Sequence, residues 1–278
     1  MERYSLTDRV VLITGAGRGL GAATAAQLAR KGARVVLADI DGAGAQAVVA
    51  SLPYGRAMAI ECDVTDLAAM QDVVDRSIDR FGGLDVAIAN AGILGRGGTM
   101  RALNPAQVSR VMTVNVNGVV NTVSATVEPI ISRKGQIVVI SSVFAYINGA
   151  GAIPYAMSKA AIEQLGRGLR VELAQHGVST MTAYFSLIET DMIRNGVDAD
   201  PHVLALLEAS PKFMLKRIST DRASRAIVRG LEQRKSSITV PGRWRPLAAL
   251  RGLALPPLDT RLAGDVGVRH ALAELEKR

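Results

Sequence analysis

The chain has 278 residues, of which 49% are hydrophobic, and carries a formal net charge of +8. That length suits one large domain able to bury a full core, and the single cysteine, Cys62, excludes an internal disulfide and gives no sign of secretion. No uninterrupted apolar stretch approaches the ~20 residues that a membrane-spanning helix needs.

Strand and helix patterns alternate along the chain. Val10–Ile13 reads as the first strand, and Gly19 to Arg30 as an Ala-rich helix. This early strand leaves no room for a signal peptide ahead of it, so a cytosolic protein is expected. Arg34–Ala38 is a second strand, followed by a helix over Gly42–Ala50, a third strand at Ala57–Ile60, and a helix over Leu67–Phe81. Leu84–Ala89 makes a fourth strand, Val108–Ile130 a long helix, and Gln136–Ser141 a fifth strand. A helix from Pro154 to His176, a strand at Val178–Phe185 and a short strand at Ile238–Val240 complete the series.

Continuous apolar strands separated by helices predict an α/β fold: a doubly wound parallel sheet of Rossmann type, covered on both faces. Residues 1–241 are expected to form this catalytic domain, with a substrate lid near 191–217. Residues 242–278 form a basic C-terminal extension. Lys212 to Arg278 hold 15 Lys/Arg against 6 Asp/Glu, whereas the preceding part is nearly neutral. Such a tail suits an anionic lipid surface or simple solvation, and nucleic acid is not the expected partner.

The glycine-rich turn Thr14-Gly15-Ala16-Gly17-Arg18-Gly19-Leu20-Gly21 joins the first strand to the first helix. Glycines there let backbone amides approach a pyrophosphate, and the helix N-terminus adds its positive end. Gly15, Arg18, Gly19 and Leu20 are therefore candidate cofactor residues. Asp39 closes the second strand, where a carboxylate accepts hydrogen bonds from ribose hydroxyls and repels a 2′-phosphate. NAD is expected ahead of NADP, although Arg18 could meet such a phosphate. The alternative for Asp39 is a helix cap, a role that Asp41 could fill instead.

Downstream stand Ser142, at the end of an apolar strand, and Tyr155 and Lys159, four residues apart and so on one helical face. A strand end and a helix face can aim three polar groups at one point. Removing a proton from an alcohol while its carbon loses hydride requires a base near neutrality. Bringing Tyr155 from ~10 to ~7 takes about 4 kcal/mol, and an ammonium at ~4 Å in an effective dielectric near 20 supplies about that much. Lys159 is expected to provide most of the shift, with oxidised nicotinamide adding positive charge, and to hold the cofactor ribose, with Ser142 positioning the substrate oxygen. Asn115, a polar residue amid valines, would hold a water linking Lys159 to solvent.

Together these residues resemble the classical short-chain dehydrogenases/reductases over roughly Val10 to Thr190. The resemblance rests on the glycine turn, Asp63-Val64, Asn90-Ala91-Gly92, Asn115 within Val114–Gly118, Ser142, and Tyr155-Ala-Met-Ser-Lys159. It implies that Asp63 and Val64 contact an adenine, that Asn90, Ala91 and Gly92 steady the sheet beside the cofactor, and that Thr190 and the backbone near Ile188 hold a nicotinamide carboxamide. It also implies a homodimer or homotetramer through the helices 108–130 and 154–176, with Ala160, Ala161, Gly166 and Gly168 permitting close approach. Phe185-Ser186 departs from the family's usual Pro-Gly, so the nicotinamide-side wall is expected to differ in shape.

Ile93, Leu94, Val143 to Ile147 and the stretch Met192 to Leu215 are expected to wall a pocket for a hydrophobic secondary alcohol or ketone, such as a lipid, steroid, retinoid or terpenoid. Arg96, Arg101 and Arg194 could instead receive a carboxylate or phosphate. The leucines and Trp244 of the tail suit either a cover over the substrate mouth or a peripheral membrane contact, and Pro246, Pro256 and Pro257 are expected to break any long helix there. A non-catalytic dinucleotide-binding regulator and a peripheral-membrane interaction protein are the rival functions. Cys62 reads as a small buried residue, and the three histidines form no metal-ligand pattern.

Overall fold

The computed structural model describes residues 3–209 and 215–277. Among them, seven strands form one parallel sheet: β1 (Val10–Thr14), β2 (Arg34–Asp39), β3 (Ala57–Glu61), β4 (Val86–Ala89), β5 (Gln136–Ser142), β6 (Ser179–Phe185) and β7 (Ser237–Val240). Their spatial order is β3-β2-β1-β4-β5-β6-β7. The order reverses between β1 and β4, the place where an open α/β sheet leaves a crevice beyond its strand ends.

The sheet is buried from both sides, and β1 shows how. Val11 and Ile13 enter one core cluster, with Leu28 of α1 (Gly19–Arg30). Val10 and Leu12 enter the other, with Met70 of α3 (Leu67–Phe81). Alternate residues of a strand face opposite ways, so a strand covered twice is apolar at every position. The predicted helix α2 (Gly42–Ala50) has Asp41 as its cap, accepting from Gly44 N, which leaves Asp39 free for another role.

The structure differs from the predicted elements in several places. The long helix starts earlier, at Pro105, because Asn104 and Gln107 form a capping box with proline in the first turn. It then runs as α4 (Pro105–Met112), a π turn (Thr113–Asn117) and α5 (Gly118–Ser132), so Asn115 sits where the helix is locally widened. After α6 (Ile153–Glu172), the short α7 (Asp191–Ile193) and α8 (Pro201–Glu208) comes an unread helix, α9 (Thr220–Glu232). Its Ala223, Ile227, Val228 and Leu231 are buried at helical spacing, a signal diluted by its charged outer face.

The tail forms α10 (Arg245–Ala249), α11 (Arg251–Gly264) and α12 (Val266–Leu275). Contrary to expectation, Pro256 and Pro257 lie inside α11. The carbonyls four residues back belong to Gly252 and Leu253, which are exposed, so water can replace the missing amides. No described helix is long and apolar enough to cross a membrane.

Candidate active site

The loops after β1 and β4 interlock. Asn90 Nδ2 donates to Thr14 O (2.9 Å) and Gly15 O (3.0 Å), while Thr14 Oγ1 accepts from the amides of Asn90 and Ala91, both at 3.1 Å. The fit leaves no room for side chains: a Cβ on Gly21 would stand 2.2 Å from Gly15 O, and one on Gly15, whose φ is +64°, 2.8 Å from Ala91 Cα. A cleft of about 820 Å³ opens above this junction, lined by Gly15, Arg18, Gly19, Leu20 and Asp39. Asp63, Val64, Asn90, Ala91, Gly92, Ile188 and Thr190 line it too, so every candidate cofactor residue borders one space.

The residues present fit a dinucleotide. Small residues crowd the floor, α1 begins there at Gly19, and Asp39 presents a half-buried carboxylate. Asp39 is already positioned: Oδ2 accepts from Gly17 N (2.7 Å) and Oδ1 from Asp41 N (2.9 Å). Arg18 is exposed beside the same cleft. Cys62 is buried at its edge, its Sγ 3.6 Å from Met70 Sδ, and burial pushes its thiol up to about 11, which suits packing and not nucleophilic work.

Ser142 ends β5, and Tyr155 and Lys159 lie on one face of α6. Ser142 Oγ donates to Phe185 O (3.0 Å) and accepts from Phe144 N (3.2 Å). Its hydroxyl also hydrogen-bonds Tyr155, whose ring packs edge-on against Phe144 at 5.7 Å. Lys159 Nζ donates to Ile140 O (3.0 Å) and stands 5.5 Å from the centre of the Tyr155 ring. Asn115 is fully buried and holds Ile93 at two points: Oδ1 accepts from its amide (2.7 Å) and Nδ2 donates to its carbonyl (2.9 Å).

Two positioning residues escaped the sequence reading. Ser158 accepts from Asn115 Nδ2 (3.0 Å) and donates to Tyr155 O (2.7 Å), linking the π turn to α6. Ser141 donates to Lys159 O (2.8 Å), fixing the same helix to β5. Both sit next to a recognised residue, and a serine beside a strand end or one turn along a helix has too many local uses to single out.

The electrostatics correct one expectation. Burial pushes Tyr155 up to about 12, partly offset by the Ser142 hydrogen bond, and lowers Lys159 to about 8. The ammonium points to a carbonyl of β5, and its own desolvation weakens it as a charge. Lys159 alone therefore does not bring the phenol toward neutrality in the protein by itself.

A second cavity, of about 430 Å³, adjoins the first. Ser142, Tyr155, Ser186, Met192 and Ile193 line both, so Ser142 and Tyr155 stand where the spaces meet, while Lys159 lines the first alone. Leu94, Val143, Phe144, Ile147, Val197 and Leu206 give the second chamber an apolar wall, largely as expected, although Ile93 borders the cofactor cleft instead. Phe213 and Met214, also expected there, lie outside the described residues. Arg96 lines the chamber, while Arg101 is paired with Glu276 (3.0 Å) and Arg194 with Asp191 (2.5 Å).

The tail supplies the rest of the wall, through Leu258, Leu262, Val268 and Leu272. Trp244 is 1% exposed and packs on Tyr146 at 6.4 Å, which makes it a packing anchor and not a membrane-interface residue. Arg251 reaches Glu163 of α6 at 2.8 and 3.0 Å, Asn148 donates to Asp259 (2.7 Å), and Thr99 donates to Glu276 (3.1 Å). The contacts of Leu262 to Leu272 were missed, because chain distance hides them. Gly166 also differs from expectation: a Cβ there would stand 2.2 Å from Thr182 Oγ1, so it faces the protein's own sheet, whereas Gly168 is open. Among the described residues no cluster could hold a metal ion.

The chain matches the family model described as short chain dehydrogenase over residues 9–200. It is 35% identical over 190 residues to (2S)-[(R)-hydroxy(phenyl)methyl]succinyl-CoA dehydrogenase subunit BbsD of Thauera aromatica, covering 67% of this chain and 76% of that protein. Meso-2,3-butanediol dehydrogenase of Serratia marcescens is 34% identical over 185 residues, covering 66% and 73%. Among solved structures, a short chain dehydrogenase from Burkholderia cenocepacia in complex with NADP has a TM-score of 0.75 at 31% identity, covering 86% of this chain and 98% of that one.

Proposed function

We propose that this chain, which belongs to the short-chain dehydrogenase family, is a cytosolic enzyme that interconverts an apolar secondary alcohol and its ketone with NAD. The observation that carries this reading is the meeting of Ser142 and Tyr155 at the junction of a glycine-floored cleft and an apolar chamber. When bound, NAD supplies the hydride acceptor and a positively charged ring. Tyr155 Oη takes the alcohol proton, Ser142 orients the oxygen, and Lys159 holds the cofactor ribose from the buried side. Asn115 Oδ1 keeps one lone pair beyond its bond to Ile93 N, enough to hold a water leading from Lys159 to solvent.

A cofactor-coupled screen of aliphatic, steroid and terpenoid alcohols, reading absorbance of the reduced nicotinamide, tests the activity. Turnover would also dispose of the non-catalytic regulator and of a purely membrane-interacting protein. NAD is preferred because Asp39 stands rigidly in the cleft. Asp39→Ser should relax the NAD/NADP ratio of kcat/KM about tenfold, and a wild-type preference for NADP would show that Arg18 outweighs the carboxylate.

A homodimer through the outer faces of α5 and α6 accompanies this reading, where Val120 and Met157 are exposed. A monomer in light scattering at micromolar concentration would refute it. The tail is read as a cover for the chamber and not as a lipid anchor. Co-sedimentation with anionic vesicles at low salt would overturn that.

A further inference from the structure

Ser186 follows β6 directly and is 8% exposed, yet it lines both the cofactor cleft and the apolar chamber. Its backbone amide is satisfied by Val240 O at 3.1 Å. Its hydroxyl has no protein partner among the described residues. The hydroxyl is not among the fully enclosed side-chain atoms that lack a partner, so it opens onto the cavity, and the space it borders is the junction where Ser142 and Tyr155 stand.

Counting protons sharpens the point. Ser142 has one hydroxyl proton, and Phe185 O holds it at 3.0 Å, while Phe144 N donates to the same oxygen. To donate to a substrate oxygen, Ser142 must give up a formed bond. Ser186, one residue beyond that carbonyl, has an uncommitted proton.

We propose that Ser186 is a catalytic residue that donates a hydrogen bond to the reacting oxygen of the substrate, alongside Tyr155 and Ser142. The inference rests on the reading of Tyr155 as the proton-exchanging group. Ser186 keeps its proton throughout: the alcohol proton passes to Tyr155 Oη, and Ser186 stabilises the negative charge that grows on the oxygen as the carbon loses hydride. A preorganised donor at that atom acts more strongly in the transition state than in the bound alcohol.

The test uses Ser186→Ala and Ser186→Gly in the full chain, with an alcohol that the wild-type enzyme oxidises. Both variants should lose ten- to a hundredfold in kcat/KM, mostly in kcat, with NADH affinity within twofold of wild type. Losing the donor should also move the pH at which oxidation levels off upward by about one unit, which a packing defect would not do. Wild-type kcat/KM in both variants would overturn the proposal. So would tenfold weaker NADH binding with unchanged kcat, which would assign the hydroxyl to the cofactor. Failure of the wild type to oxidise any alcohol would instead overturn the underlying reading, and this inference with it.

Discussion

The part of the chain from residue 10 to 190 and the tail after β7, together with α8, are held in place by different kinds of contact. In the first region, β1, β4 and β5 are buried from end to end, and the site sits on loops that interlock backbone to backbone, as at Asn90, Thr14 and Gly15. In the second, α8 and α12 share a small apolar seam of Leu206, Val268, Ala271 and Leu275. The tail is then joined to the rest by a small apolar cluster around Trp244 and Tyr146 and by the polar contacts of Arg251, Asp259 and Glu276. The rigid region positions groups that must meet to within a fraction of an ångström. The clasped region shapes the chamber, where volume and polarity matter more than angles.

Substitutions in the two regions should therefore fail in different ways. The largest effect is expected from Gly21→Ala. Its Cβ would meet Gly15 O at 2.2 Å, so the cradle must open. NADH affinity by fluorescence titration should fall a hundredfold or more, and stability by about 1–3 kcal/mol. NADH binding at wild-type strength would mean that the cradle is not the cofactor site.

Leu262→Ala sits on the other side of the comparison. It removes apolar wall from the chamber without touching the cleft. KM for an apolar alcohol should rise roughly five- to tenfold, consistent with the loss of a partly buried leucine contact. NADH affinity should not change. Equal damage to both would show that the tail supports the whole fold and not the chamber alone.

Much of this contrast follows from what the sequence could express. Local signals fixed the first region: a glycine turn after an apolar strand, a Tyr–Lys pair on one helical face, and Asp41 ready to cap α2 so that Asp39 was free. The clasps were not legible, since Glu163 and Arg251 are 88 residues apart, Asn148 and Asp259 are 111, and Thr99 and Glu276 are 177. Contacts of that separation leave no periodicity. Trp244 was ambiguous because leucines beside arginines look alike on a lipid-facing helix and on one folded back over a chamber. The prolines of α11 misled because their cost depends on which carbonyls face water. The reading of Tyr155 counted attraction to Lys159 and left out burial, which raises the phenol and lowers the amine.

A smaller effect concerns that buried pair. Burial holds Lys159 down to about 8, against an unfolded value near ~10.4. Between these values the unfolded chain binds more protons, so the stability of the folded protein rises with pH over that window. The cost of charging the buried amine is full below pH 8 and fades toward pH 10. Lys159→Met carries no such cost. Its advantage in melting temperature should shrink by a few degrees from pH 8 to pH 10, while the ionisation of Tyr155, common to both proteins, cancels from the difference. A constant difference would mean that Lys159 titrates as in solution.

The central claim is that Tyr155 exchanges the substrate proton at the junction of the two cavities. The most direct test compares wild type and Tyr155→Phe in NAD-dependent oxidation of an apolar secondary alcohol, with NADH affinity measured on the same samples. The phenylalanine ring still packs against Phe144, so affinity should stay within twofold while the rate falls about a thousandfold. Retention of more than a few per cent of the wild-type rate would contradict the account and assign the proton to another group.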